Sequence, residues 1–162
     1  MTKPAYTPTI PPSDGRIMIT VRLRTTLSCS PGEAFGHFES IAALGGLKKE
    51  LVGARIVRSE PGLEIADAIL RLPVFIRAAA RLKYTTVPET FAELKQIKGP
   101  FAEYRWTYSF GEIGGMARVD TEAMIRLPLG PIGFLLGLAI GPGIRGKMRR
   151  ELKTLEKLTA PR

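Results

Sequence analysis

One cysteine (Cys29), one histidine (His37) and one tryptophan (Trp106) stand in 162 residues. A lone cysteine excludes an intramolecular disulfide and any zinc site built from a cysteine cluster. One histidine and one cysteine do not make up a tetrahedral N/S ligand set, so no metal and no cofactor is expected. Cys29 ends an alternating segment with no histidine near it in sequence, and reads as a small buried hydrophobe. His37 falls on a short helix beside Phe35 and Phe38 and reads as a surface or helix-end residue. Uninterrupted apolar runs are missing too. The longest uncharged stretch, Leu127 to Ile144, is eighteen residues and carries Pro128, Pro131, Pro142 and five glycines. A proline inside a helix costs about 3 kcal/mol, so a spanning helix is not expected there. The opening MTKPAYTPTIPPSD holds four prolines and no apolar core of the kind a signal peptide needs. Residues 1–15 therefore read as a disordered tail and 16–160 as one domain. These absences fit a reduced, cytoplasmic protein.

Positive charge is plentiful. The formal net charge is +9, which favours anionic partners in general without choosing among headgroups, nucleic acid and acidic ligands. Glycine and lysine combine in IGPGIRGKM, where Gly141, Gly146 and Lys147 have the spacing of a phosphate-binding loop. Met148, however, stands where a serine or threonine would hold magnesium. Only fourteen residues follow it, too few for the strands that complete such a site. No nucleotide is expected, and Gly141-Pro142-Gly143 reads as a break or kink in a helical segment.

The periodicity gives an element order. Ile17, Ile19, Val21, Leu23 and Leu27 alternate with polar residues, the pattern of a half-buried strand. In SPGEAFGHFES, Ser30 can cap, Pro31 suits the first helical position, and Glu33 completes a capping box. A second short helix follows over 41–51. Six strand-like runs come next: GARIVRSE, LEIADAILRL, VFIRAAARLKYTTV, TFAELKQIK, FAEYRWTYSF and MARVDTEAMIRLP, with turns at Pro61-Gly62, Gly99-Pro100 and GEIGG. Leu152, Leu155 and Leu158 then mark a closing amphipathic helix. Short turns between successive strands predict an antiparallel sheet with one apolar face, which the last helix covers.

This order, the SPGEAF helix start and the ending RLPLGPIGFLLGLAIGPGIRGKMRRELKTLEKL together resemble the START/Bet v 1-like (SRPBCC) superfamily, most of all its bacterial polyketide cyclase/dehydrase and lipid-transport branch. The resemblance implies an α+β helix-grip fold: a seven-stranded antiparallel sheet wrapped around a long C-terminal helix, with two short helices after the first strand. It also implies an apolar cavity between sheet and helix that admits a hydrophobic small molecule or lipid.

In such a fold Ile76, Ala80 and Tyr84, and Tyr104, Trp106 and Tyr108, would face inward, with Phe134 and Leu138 approaching from the helix. These are the candidate ligand contacts. Aromatic rings with polar tips suit a pocket better than a dry core. Asp67 interrupts the apolar positions Ile65 and Ile69. If that parity faces inward, it is a polar anchor with a raised pKa, although Ala66, Ala68, Leu70 and Leu72 make an equally good inward face.

Arg145, Lys147, Arg149, Arg150, Lys153 and Lys157 crowd the last helix. They form either its solvated face or a patch for transient membrane-surface contact, at about 1 kcal/mol per basic residue. Non-catalytic binding or transport of a hydrophobic ligand is the leading reading. A cyclase or dehydratase acting on an aromatic or polyketide-like substrate is the alternative; it requires inward-facing ionisable groups, so the side to which Asp67 and Arg77 point discriminates. Nucleic-acid binding would need the Tyr104–Trp106–Tyr108 row exposed, and is not expected under a covering helix.

Overall fold

The computed structural model describes residues 16–72 and 77–160. The expected tail and Ile76 lie outside this range. The chain runs β1 (Met18–Leu27), α1 (Pro31–Gly36), α2 (Ile41–Leu47), β2 (Leu51–Glu60), β3 (Leu63–Arg71), β4 (Arg77–Val87), β5 (Phe91–Lys98), β6 (Glu103–Ile113), β7 (Met116–Arg126) and α3 (Pro131–Leu158). The seven strands form one antiparallel sheet in the order β1-β7-β6-β5-β4-β3-β2. This is the α+β helix-grip architecture implied by the element order.

Local chemistry explains the corners. Ser30 Oγ accepts the Glu33 N–H at 3.2 Å, while the Glu33 carboxylate accepts the Ser30 N–H at 2.8 Å. With Pro31 at the first helical position, this reciprocal box starts α1 directly after β1. At the tip of the β6–β7 hairpin, Gly114 and Gly115 have φ of 58° and 79°. Both central residues of a two-residue turn of this hand need positive φ, so two glycines close it. The strand therefore runs further than the GEIGG motif suggests, and Ile113 pairs with Met116.

Alternation sorts the faces. Tyr104, Trp106, Tyr108 and Phe110 of β6 are buried, as are Ala117, Val119, Thr121, Ala123 and Ile125 of β7. The outer face carries cross-strand ion pairs, Arg22 with Glu122, Arg24 with Asp120 and Arg81 with Asp67, and one within β7, Arg118 with Asp120.

Helix α3 passes through Gly141-Pro142-Gly143 without a break, contrary to expectation. The phosphate-loop spacing thus lies within a helix. Ile140, Ile144, Met148, Leu152 and Leu155 form its buried stripe. Near its start, a Cβ on Gly133 would come 1.8 Å from the Pro128 carbonyl oxygen. Glycine there lets the helix close against the chain that enters it.

Phe134 and Leu138 do not approach the interior; they are 58% and 64% exposed. The physical reason is that the small positions Gly133 and Gly137 take the inner side, where Gly137 faces Leu127 and Ile17. The large residues one step on are turned outward. Because residues 129–144 are apolar all round, the sequence pattern does not distinguish these two faces.

Candidate functional site

Beneath α3 the interior is filled by the aromatic row and by one polar cluster. Tyr84, Tyr104, Trp106 and Tyr108 are all buried, with Ala80 on the same face. Tyr84 donates to the Phe38 carbonyl at 2.6 Å and so ties β4 to the end of α1. Phe38 in turn packs on Tyr108 with ring centroids 4.6 Å apart. These contacts close one end of the interior.

Toward the other end lies Lys48, fully buried, just after α2. Its Nζ donates to Glu151 Oε1 at 2.9 Å and to Glu50 Oε1 at 3.2 Å. It also sits 3.1 Å from the centroid of the Trp106 ring, so the ammonium is held by two carboxylates and an aromatic face. Tyr108 Oη donates to Glu151 Oε2 at 2.9 Å. Residues from α2, β6 and α3 are thus joined at one point.

The electrostatics follow from burial and proximity. Burial pulls the Lys48 ammonium down, but Glu151, Tyr104 and Glu50 overcome this and leave its pKa raised. Burial also pushes the Glu151 carboxyl up to about 7, against the pull of Lys48. Burial works against ionised Glu50 as well, yet Lys48 and Lys147 prevail and its pKa is lowered. Trp106 Nε1 and Thr121 Oγ1 are buried without a hydrogen-bond partner among the described residues.

Two adjoining chambers open beside this cluster. The inner one, about 30 Å³, is lined by Leu70, Leu72, Phe101, Tyr104, Trp106 and Ile144, among others. That is space for one or two waters. The outer one, about 460 Å³, lies among Leu47, Glu50, Leu72, Glu151 and a set of lysines and arginines, and its size is that of a small-molecule pocket. Glu50, Arg71, Leu72 and Lys147 line both, so the outer chamber leads to the aromatic wall.

The sequence candidates are divided by this geometry. Tyr104 and Trp106 line the inner chamber, and Tyr108 holds Glu151 behind the outer one. Ala80 and Tyr84 face inward but line neither of these chambers. Asp67 is not in the interior. It lies on the outer face of β3, where Arg81 Nε and Nη2 donate to it at 2.7 and 3.0 Å. Those bonds hold its carboxyl below the usual range, the reverse of the rise expected for an inward anchor. The inward parity belongs to Ala66, Ala68 and Leu70. Burial pushes the half-buried Cys29 thiol up, away from a reactive thiolate.

Lys48, Glu50 and Glu151 escaped the sequence reading. Glu151 carried a signal, because it falls on the apolar stripe of α3, three residues after Met148 and four before Leu155. A carboxylate there points inward. Lys48 had none, since it lies beyond the end of a short helix next to an exposed Lys49.

No family model matches the sequence, and no curated protein matches it. The fold is shared with many solved structures. TTHA0849 from Thermus thermophilus superposes with a TM-score of 0.72 at 18% identity, over 86% of this chain and 96% of that one. The di-domain ARO/CYC BexL from the BE-7585A biosynthetic pathway also gives 0.72 at 12% identity, over 90% of this chain and 51% of that one. A START superfamily protein from Mycobacterium smegmatis gives 0.60 at 14% identity, over 90% and 97%. The chain thus has the START/Bet v 1-like (SRPBCC) fold, whose known examples include START superfamily proteins and polyketide cyclases. Among the described residues no helix is long and apolar enough to cross a membrane.

Proposed function

We propose that the protein binds, and carries, a hydrophobic small molecule or lipid whose apolar body enters between sheet and α3 and packs on Tyr104 and Trp106. The observation that carries this is the continuity of the two chambers, from an outer one of about 460 Å³ to an inner space of about 30 Å³ walled by aliphatic and aromatic side chains, which widens as the ligand enters. Burial of apolar ligand surface at about 25 cal/mol per Å² supplies the affinity. Lys48, Glu151, Tyr108 and Glu50 satisfy one another, which suits a fixed wall better than a proton-transfer site. Asp67 and Arg77, whose side discriminates the cyclase or dehydratase reading, are an outer-face ion-pair member and an exposed residue. Both placements favour a non-catalytic role. The exposed Leu129, Phe134 and Leu138, beside the basic half of α3, suit transient contact with a bilayer from which such a ligand is taken.

Native mass spectrometry of freshly purified protein, followed by organic extraction, tests this reading. The expected result is a stoichiometric non-covalent adduct that yields an apolar compound. A bare mass that stays bare after incubation with liposomes would overturn it.

A further inference from the structure

We propose that the outer chamber recognises an anionic head group, so that the ligand is an amphiphile bearing a carboxylate, sulfonate or phosphate on an apolar body. This rests on the binding reading above and adds the polarity of the ligand to it.

The argument starts from where the charge is. Lys49, Arg71, Lys147, Arg150, Lys153 and Lys157 line the outer chamber. Among the described residues, none of the six forms an ion pair. The sheet's outer face is different: Arg22, Arg24, Arg55, Arg58, Arg81, Arg105 and Arg118 each have an acidic partner there. Arg77, Lys83, Lys95 and Lys98 of β4 and β5 also form no ion pair among the described residues, but they line neither chamber; the six at the opening converge on one concave space.

The two carboxylates in that opening do not neutralise it. Glu50 and Glu151 are both engaged by Lys48 from behind, and with Lys48 counted seven cations stand against two carboxylates, which leaves a net +5 at the opening. Six like charges around one cavity repel one another, and field lines focus in a cleft with apolar walls. A bound anion relieves that repulsion where it is strongest.

The shape decides what kind of anion. A flat phosphate backbone or a bilayer surface would meet cations on a convex face, whereas these line a chamber that narrows to Leu72, Tyr104 and Trp106. A small inorganic anion would leave the apolar wall unused. An anionic head on an apolar body uses both parts, its charge at the rim and its body along Leu72 toward the aromatic wall, where the inner space of about 30 Å³ must widen to admit more than the tip. Lysines on flexible stems around the rim suit a head group of variable geometry rather than one bidentate acid.

The test uses two fluorescent probes with the same apolar body, anilinonaphthalene sulfonate and the uncharged phenylnaphthylamine. Wild-type protein should bind the sulfonate at least about tenfold more tightly at low salt, and the difference should shrink at about 0.5 M salt as the charges are screened. K147E/K153E should bring the sulfonate down toward the phenylnaphthylamine level. R149E changes the charge of the same helix outside the chamber, and should keep the preference. Equal binding of both probes by wild type, or the same loss in R149E as in K147E/K153E, would overturn the head-group proposal and leave the binding reading standing. Saturable binding of neither probe would overturn both. Sedimentation with phosphatidylglycerol vesicles, sensitive to K147E/K153E but leaving the sulfonate in place, would assign the cations to a bilayer and also overturn the proposal.

Discussion

Lys48→Met keeps the length and apolar stem of the side chain but removes the ammonium. The loss takes away the contacts to Glu151 at 2.9 Å and Glu50 at 3.2 Å, and the cation 3.1 Å from the Trp106 ring centroid. Breaking a buried ion pair from one side costs about 3–5 kcal/mol, because the remaining charge is left uncompensated. The cost depends on pH. In the wild type, Glu151 is raised from 4.5 to about 7. Between those values the folded chain keeps a proton that the unfolded chain has lost. Stability is therefore fully present below 4.5, falls as pH rises toward 7 and is level above that, with a slope of about 1.4 kcal/mol per pH unit. Without Lys48 the carboxyl holds its proton to higher pH, and the falling limb extends further. K48M should lose about 4 kcal/mol at about pH 8, and at least about 1 kcal/mol less at about pH 5. Urea unfolding followed by far-UV circular dichroism at both pH values measures this. A loss below about 1 kcal/mol at the higher pH, or an equal loss at both, would refute the buried network as described.

Other consequences are local. Glu151→Gln removes the titrating group, so the decline in stability between 4.5 and about 7 should flatten in the same urea series. Tyr84→Phe leaves the buried Phe38 carbonyl without its 2.6 Å donor and should cost about 1–3 kcal/mol in thermal or urea unfolding. Gly133→Ala sets a Cβ 1.8 Å from the Pro128 oxygen and should destabilise by about 1–3 kcal/mol, even though alanine is the better helix former. Asp67→Asn, on the outer face, should change stability by less than about 1 kcal/mol and leave the affinity for phenylnaphthylamine as it was.

The sequence carried the architecture because each element had a local cause. The Ser30–Glu33 box, the paired turn glycines and the strict alternation of Tyr104, Trp106 and Tyr108 specify a helix start, a hairpin and an inward face without reference to the rest of the chain. Two classes of feature were hidden. Parity fails where both phases are apolar, as in β3, where Asp67 could have gone either way until Arg81 across the strand claimed it. Periodicity fails where a segment is apolar all round, as at the start of α3, where glycine packing turned Phe134 and Leu138 outward. The polar cluster was hidden for another reason. Lys48 and Glu151 lie 103 residues apart, and only the closed fold brings them together; the charge of Glu151 on an apolar stripe was the single local sign.

The central claim is that an apolar ligand reaches the aromatic wall of the inner chamber, and Trp106, the only tryptophan in the chain, reports on it directly. Bromine on an aliphatic chain quenches tryptophan emission on contact. Titration with dibrominated octadecanoate, beside unmodified octadecanoate, therefore asks whether the chain touches Trp106. The account predicts saturable quenching by the brominated chain at one equivalent and none by the plain one. Full Trp106 emission with the brominated chain bound would contradict it.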